Sequence, residues 1–372
     1  MCRKSLSLVS LVFALTAFTN VTSASKQAHD PTIADGATGV SPRAALGWSP
    51  GDAAIKHHIF LSNDFDYVSS GSLGVWQACQ TATTYQAGPL LLGETYFWRV
   101  DEVGFSYWAP GQVWSFTVQD SLTVDDMESY SDGPDYIFDT WLDGAGNIDG
   151  VGGNGTGSVV DLEMTNVHGG AKSMCYGYNN SGSRRRRAYS EAKCIFDTPQ
   201  RWAGTARALG LWFYGSANND IEPMYVSLDD GSVSAVLVYG VLGEDPNDIK
   251  KEQWQEWNID LCDFISAGLN LSNVVGIAVG FGDRTDANGQ PGGRGVVYFD
   301  DIKLYPRRCV PKYAPQADFS GNCIVDTEDI KIMAAQWLES GSLLADMNLD
   351  NTVNFKDYAV LVHSWSEKRL WP

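Results

Sequence analysis

Basic side chains are scarce in this chain. Its 372 residues hold 26 Lys and Arg against 45 Asp and Glu, a formal net charge of −19. Nucleic acid and anionic lipid recruit proteins through basic patches, so neither is an expected partner. Long apolar runs are lacking too. The best of them, residues 6–18, falls short of the roughly 20 residues a membrane helix needs, so no membrane span is expected. None of the seven cysteines forms a C-x-x-C pair, which argues against structural zinc and thioredoxin-type chemistry. Charged residues make up only 19%, whereas Gly reaches 38 and Trp 13. That balance reads as β-rich and extracellular rather than helical and cytosolic.

What stands at the amino end is a pair of cations, Arg3 and Lys4, followed by the apolar run. Small residues come next, with Thr22 and Ala24 at the −3 and −1 positions of a cleavage point. This is the layout of a signal peptide over residues 1–24, and the mature chain is expected to be secreted, extracellular or at the cell surface. Cys2 would leave with it, and the remaining six cysteines permit disulfides in an oxidising compartment. Two pairings can be argued. A hairpin turning at the polar run 181–188 would set Cys175 opposite Cys194. Cys309 and Cys323 close a 15-residue loop at a module junction. Cys79 and Cys262 then remain as buried thiols.

Residues 31–119 read as short strands. Within LLLGETYFWRV, Leu90, Gly93 and Tyr96 form a corner, followed by alternation through Trp98 and Val100. The segment resembles a fibronectin type III domain, which implies a spacer or interaction module. His57 and His58 are adjacent and so point to opposite faces of a strand, which argues against shared ligation.

Residues 122–306 are strand-rich as well, opening on VDDMESY and closing on VVYFDDIKLY. The alternation slips at Asp300 and Asp301, which suggests a bulge. The two ends resemble the β-jelly-roll carbohydrate-binding modules of secreted polysaccharide-degrading systems. That resemblance implies a structural Ca²⁺ held by Glu128 and Asp301, with Asp126 and Asp300 as neighbours. In RALGLWFYG the alternation leaves Trp212 and Tyr214 on the face opposite Leu209, Leu211 and Phe213, and in PMYVSLDD it turns Tyr225 outward. Together these rings are expected to form a stacking platform for a polysaccharide or cell-surface glycan, joined by Tyr176 and Tyr178. The arginine run at 184–187 reads as a solvated turn.

The carboxyl end carries a duplication. Residues 318–329 read DFSGNCIVDTED and residues 346–357 read DMNLDNTVNFKD, an offset of 28 residues. Twelve-residue loops with oxygen ligands at positions 1, 3, 5, 9 and 12 and a carbonyl at position 7 wrap a hard cation. The first loop offers Asp318, Ser320, Asn322, the Ile324 carbonyl, Asp326 and Asp329. The second offers Asp346, Asn348, Asp350, the Thr352 carbonyl, Asn354 and Asp357. Each loop precedes an amphipathic stretch, and Val325 or Val353 at position 8 is placed to pack the two loops together. The duplicate resembles a type I dockerin domain over residues 314–370, which implies two bound Ca²⁺ and a cohesin-like protein partner. Position 6, normally Gly, holds Cys323 and Asn351. The partner-contacting positions 10 and 11 are Thr327 with Glu328 and Phe355 with Lys356, which do not match between repeats. The modular order resembles large secreted proteins of environmental bacteria such as planctomycetes.

The fold expected is therefore mainly β: a fibronectin type III-like sandwich and a large jelly roll, with a small α calcium-binding domain. Its function reads as exported, non-catalytic glycan binding. The rival is a glycoside hydrolase or lyase using the jelly roll, and a purely structural envelope protein is a third reading. Against the rival, H-E-x-x-H and the E-x-D-x-x-E strand motif of jelly-roll glucanases are absent. Glu256 and Asp260, four residues apart on one strand, would sit about 13 Å apart, too far for a hydrolytic pair.

Overall fold

The computed structural model describes residues 25–146, 152–181, 189–241, 243–285, 292–341 and 343–372. The leader expected over 1–24 and the arginine run at 184–187 lie outside the described residues. The chain divides into two compact units. One takes Ala45–Gln86 and Tyr96–Phe116 together with the chain up to Ala37; the other takes Thr38–Ala44, Ala87–Thr95 and Thr117–Pro372.

In the first unit, strands β2 (Lys56–Ser62), β3 (Trp76–Gln80), β5 (Thr95–Val103) and β7 (Val113–Val118) make a sheet in the order β7-β5-β2-β3. Strand β6 (Trp108–Ala109) pairs with β5, while β1 (Ala45–Gly47) and β4 (Thr84–Gln86) form a ribbon of their own. Alternation sorts the side chains: Ile59, Trp98, Val100, Trp114 and Phe116 are buried, with Trp98 and Trp114 4.6 Å apart. His57 and His58 do part company. His57 is buried, 2.5 Å from Glu102, whereas His58 packs beside Trp76 and Trp108.

The second unit is a sandwich of two antiparallel sheets. Sheet A has the order β9-β12-β17-β14-β15, from Trp141–Leu142, Tyr189–Gln200, Val274–Gly282, Met224–Asp229 and Ser234–Val238. Sheet B has the order β10-β11-β18-β13-β16, from Val159–Glu163, Ser173–Asn179, Arg294–Tyr305, Ala208–Tyr214 and Trp254–Asp260, with β8 (Leu122–Asp125) on β18. The protein is thus mainly β. Facing residues fill the space between the sheets, among them Leu209, Leu211, Phe213, Val226, Ile277, Val279, Phe281 and Phe299.

Tyr176 and Tyr178 belong to this core and not to an outer platform. Tyr178 stacks on Phe281 at 4.3 Å, and Tyr176 lies 5.7 Å from Phe299. Alternation divides a strand into two faces but does not say which one meets the opposite sheet, and here the tyrosine face does. Asp125 anchors the start of the sandwich by accepting from the Met127 amide, the Tyr130 hydroxyl and the Trp141 indole.

Two cysteine expectations are corrected. Cys175 and Cys194 are free. Their strands are consecutive but lie in opposite sheets: β11 is already flanked by β10 and β18, and β12 by β9 and β17, so no hairpin forms between them. Burial pushes the Cys175 thiol up to about 11 and the Cys194 thiol up to about 12. Cys79 and Cys262 are exposed, not buried. Cys309 and Cys323 are joined, with Cα atoms 5.2 Å apart.

The carboxyl end folds as two loop–helix repeats, with α1 at Thr327–Ala335 and α2 at Phe355–His363. Each helix opens on a capping box, Asp326 with Asp329 and Asn354 with Asp357. Their core consists of Ala317, Val325 and Met333 with Ala345, Val353 and Leu361, each pair 28 residues apart. Backbone bonds cross between the repeats. Val325 exchanges hydrogen bonds with Ser366 and Glu367, and Val353 exchanges them with Leu338 and Glu339. Among the described residues, no helix is long and apolar enough to cross a membrane.

Candidate functional site

The loop residues are positioned by their own amides. In the second loop, Asp357 accepts from the Met347 and Asn348 amides on Oδ1 and from Asn354 on Oδ2. Asp346 accepts from Asp350 and Asn351, while the Asn348 side chain also takes the Asp350 amide. The turn requires left-handed backbone at position 6, where Asn351 has φ 66°. These bonds converge Asp346, Asp350 and Asp357, positions 1, 5 and 12, until one oxygen of each lies within 4.8 Å of the others. Three carboxylates at that spacing repel unless a cation sits among them, and an all-oxygen donor set suits Ca²⁺. Lys356 lies 2.8 Å from Asp350, and its hydrogen bond holds that carboxyl below the usual range. The Thr352 carbonyl accepts from Asn354.

The first loop repeats the frame with its third ligand-position acid moved from position 5 to position 9, where Asp326 stands in place of Asn354. Asp329 accepts from Phe319, Ser320 and Asp326 amides, and Asp318 from Gly321, Asn322 and Cys323. Ser320 donates to Asp318, and Asn322 accepts from Ile324. Position 5 is Asn322, so Asp318 and Asp329 are not joined there by a third carboxylate. Instead Asp318 lies within 4.8 Å of Cys309 and Cys323, whose sulfurs are bonded to each other. Cys323 occupies position 6 at φ 61° and is fully buried.

Glu128 and Asp301 come to one loop from opposite ends of the sandwich. Glu128 accepts from the Ala171 and Lys172 amides. Asp301 lies 2.7 Å from His168 on one oxygen and 2.7 Å from Lys303 on the other. The slip read at Asp300 and Asp301 is a register shift opposite β13, with Asp301 at φ 47°. Asp300 accepts from the His168 and Gly169 amides, and Asp126 from the Glu128 amide. Burial raises the Asp301 carboxyl, but Lys303 and His168 outweigh that and hold it low. Lys303 and the His168 ring already occupy both oxygens of Asp301, so the fit to a metal is weaker here than in the second loop.

The aromatic platform is redrawn. Trp212 and Tyr214 do share the outer face of sheet B, and both are half-buried. Tyr225 does not join them. It sits on sheet A, 1% exposed, its hydroxyl donating to Glu191 at 3.0 Å across the bare backbone of Gly280. The glycine opposite it lets the ring lie flat on the sheet, which alternation alone does not reveal. Tyr225→Phe is expected to cost about 1 kcal/mol by removing one hydrogen bond from a carboxylate oxygen that Arg284 continues to hold, checked by urea denaturation.

Sequence reasoning missed the rings that complete the sheet B face. Tyr214 is paired in register with Trp254 on one side and Tyr298 on the other, at centroid distances of 5.7 and 6.0 Å. His168 stacks on Trp212 at 3.8 Å and covers one of its faces. Trp254 alternates visibly with Trp257 in the sequence; Tyr298 and His168 gave no signal of their own.

Acid pairs for hydrolysis are not assembled at the positions considered. Glu256 is bonded to Arg308, Asp260 caps the helix that follows it, and Asp229 lies on the other sheet against Lys193. Residues 47–51 match a G-x-S-x-G pattern, but Ser49 exchanges backbone bonds with His29 in a β-bridge and sits on no strand-to-helix elbow.

No family model matches the chain, and no curated protein matches it. Among solved structures it is similar to a carbohydrate-binding module of the β-sandwich superfamily, at 13% identity and TM-score 0.30 over 76% of this chain and 98% of that one. It is similar to the family 11 carbohydrate-binding module of the cellulase Lic26A-Cel5E of Clostridium thermocellum, at 12% and 0.32 over 50% and 94%. A third is the CBM22-1 xylan-binding domain of Paenibacillus barcinonensis Xyn10C, at 10% and 0.29 over 50% and 94%. Likenesses of this size carry no argument about what the chain does.

Proposed function

We propose that this is an exported, non-catalytic binding protein: its sandwich holds a polysaccharide and its carboxyl-terminal repeats, loaded with calcium, dock a cohesin-like protein. The observation that carries the glycan reading is the row Tyr298, Tyr214 and Trp254. It crosses three adjacent strands on the outer face of sheet B, with Trp212 beside it. Half-exposed rings in a row offer apolar faces to the C–H faces of successive sugars, and their polar tips reach hydroxyls. The acids that would serve hydrolysis are engaged elsewhere, which supports binding over cleavage. The docking reading is supported by Phe355 at position 10, which is 75% exposed and packs edge-on to Trp337. A structural Ca²⁺ between Glu128 and Asp301 remains part of the proposal.

Retention of the full chain on a panel of immobilised polysaccharides tests it. Trp254→Ala and Tyr214→Ala are each expected to weaken retention tenfold or more, about 1.4 kcal/mol. No retention by the parent on any glycan overturns the reading, as does release of reducing ends or unsaturated sugars.

A further inference from the structure

The first unit carries a cleft that none of the foregoing uses. About 560 Å³ in volume, it is lined by His58, Phe60, Leu73, Trp76, Arg99, Asp101 and Trp108 among others. This is within the size range of small-ligand sites. Trp76 and Trp108 stand at its rim, 42% and 56% exposed, with the His58 ring packed against each at 6.4 and 4.9 Å. At its floor, Arg99 and Asp101 form a buried ion pair, Nε to Oδ1 at 2.7 Å and Nη2 to Oδ2 at 3.0 Å.

The floor's chemistry narrows the ligand. Asp101 is saturated, since it also accepts from the Trp108 indole at 3.2 Å and the Gly111 amide at 3.0 Å. Arg99 donates to the Ser69 carbonyl at 2.5 Å and lies over the Phe60 ring, yet its fork has more N–H groups than these partners use. The floor is therefore neutral overall and offers donors without acceptors. The rim offers two indole faces. A charged ligand gains nothing from a neutral pair, whereas an uncharged ring with C–H faces and acceptor oxygens meets both halves of the site.

We propose that this cleft is a glycan-binding site taking an uncharged oligosaccharide, stacked on Trp76 and Trp108 and hydrogen-bonded through its oxygens to Arg99. It is independent of the sandwich platform, and each stands or falls alone.

The test is saturation-transfer NMR and calorimetry on the full chain, with neutral gluco-, manno-, xylo- and galacto-oligosaccharides and acidic uronate oligomers. Binding of a neutral oligomer is expected to survive the Tyr214→Ala/Trp254→Ala double variant. In that double-variant background it should fall tenfold or more on adding Trp76→Ala or Trp108→Ala, while Trp108→Phe, which keeps a ring, loses less than Trp108→Ala. Trp76 is exposed, so its replacement spares the core, whereas Trp108 also donates to the buried Asp101. Thermal melting of each variant separates loss of fold from loss of binding, and the Trp76→Ala result carries the test if Trp108→Ala melts early. Unchanged affinity in both alanine variants overturns the proposal. So does binding confined to the acidic oligomers, or absence of a signal from every sugar.

Discussion

Replacing Asp357 by alanine is expected to remove one of two calcium ions from the carboxyl-terminal repeats and to lower their stability by about 3 kcal/mol or more. The carboxylate is fully buried and satisfies three amides, those of Met347, Asn348 and Asn354. Each amide left without an acceptor costs on the order of 1–3 kcal/mol, reduced where water enters. The same change deletes a third of the charge at the site with three converged carboxylates. Calorimetric titration should count two ions in the parent and one in the variant. The first loop, where no third carboxylate converges with Asp318 and Asp329, should be the weaker site. No uptake at millimolar calcium in the parent would sink the claim that these loops are metal sites.

Cys309→Ser is expected to destabilise the same region by about 3 kcal/mol under oxidising conditions and to have no such effect once the parent is reduced. A closed loop of about 15 residues restricts the unfolded chain by roughly that much in the chain-entropy model. A second effect lies in the folded state. Cys323 holds a left-handed backbone at φ 61°, a region costly for a residue with a Cβ and free for glycine. The Cys309→Ser/Cys323→Gly double variant should therefore recover part of the loss. Thermal melting of the three proteins with and without dithiothreitol measures both terms. Equal melting of parent and Cys309→Ser in oxidant would contradict the loop-closure account.

How much was legible in advance depended on whether a feature is written locally. The twelve-residue loops are, because their side-chain spacing is what bends the backbone: the acids at positions 1 and 12 take the loop amides, and position 6 is left-handed in both. The β character and the break at Asp301 are local too. What the chain does not write locally is which sheet a strand joins. Cys175 and Cys194 are symmetric about a polar run, and a hairpin is the simplest reading of that. Yet strands that close a sandwich cross from one sheet to the other, and nothing within either strand marks the crossing. Tyr225 and Tyr176 fail for the same reason. Period two assigns them a face, while burial depends on what another strand, far along the chain, places opposite. Gly280 opposite Tyr225 is such a case.

The exchanged backbone bonds of the repeats have a consequence for how this end of the chain gains and loses order. Neither half can close its own short ladder. Val325 needs Ser366 and Glu367, beyond the second helix, and Val353 needs Leu338 and Glu339, beyond the first. The six core residues are likewise shared three and three. A fragment ending before the second loop would therefore be no half-sized ion binder, but a chain with unpaired backbone and half a core. Under the proposed calcium reading the shared ladder couples the two loops, so binding of one ion should raise the affinity for the second.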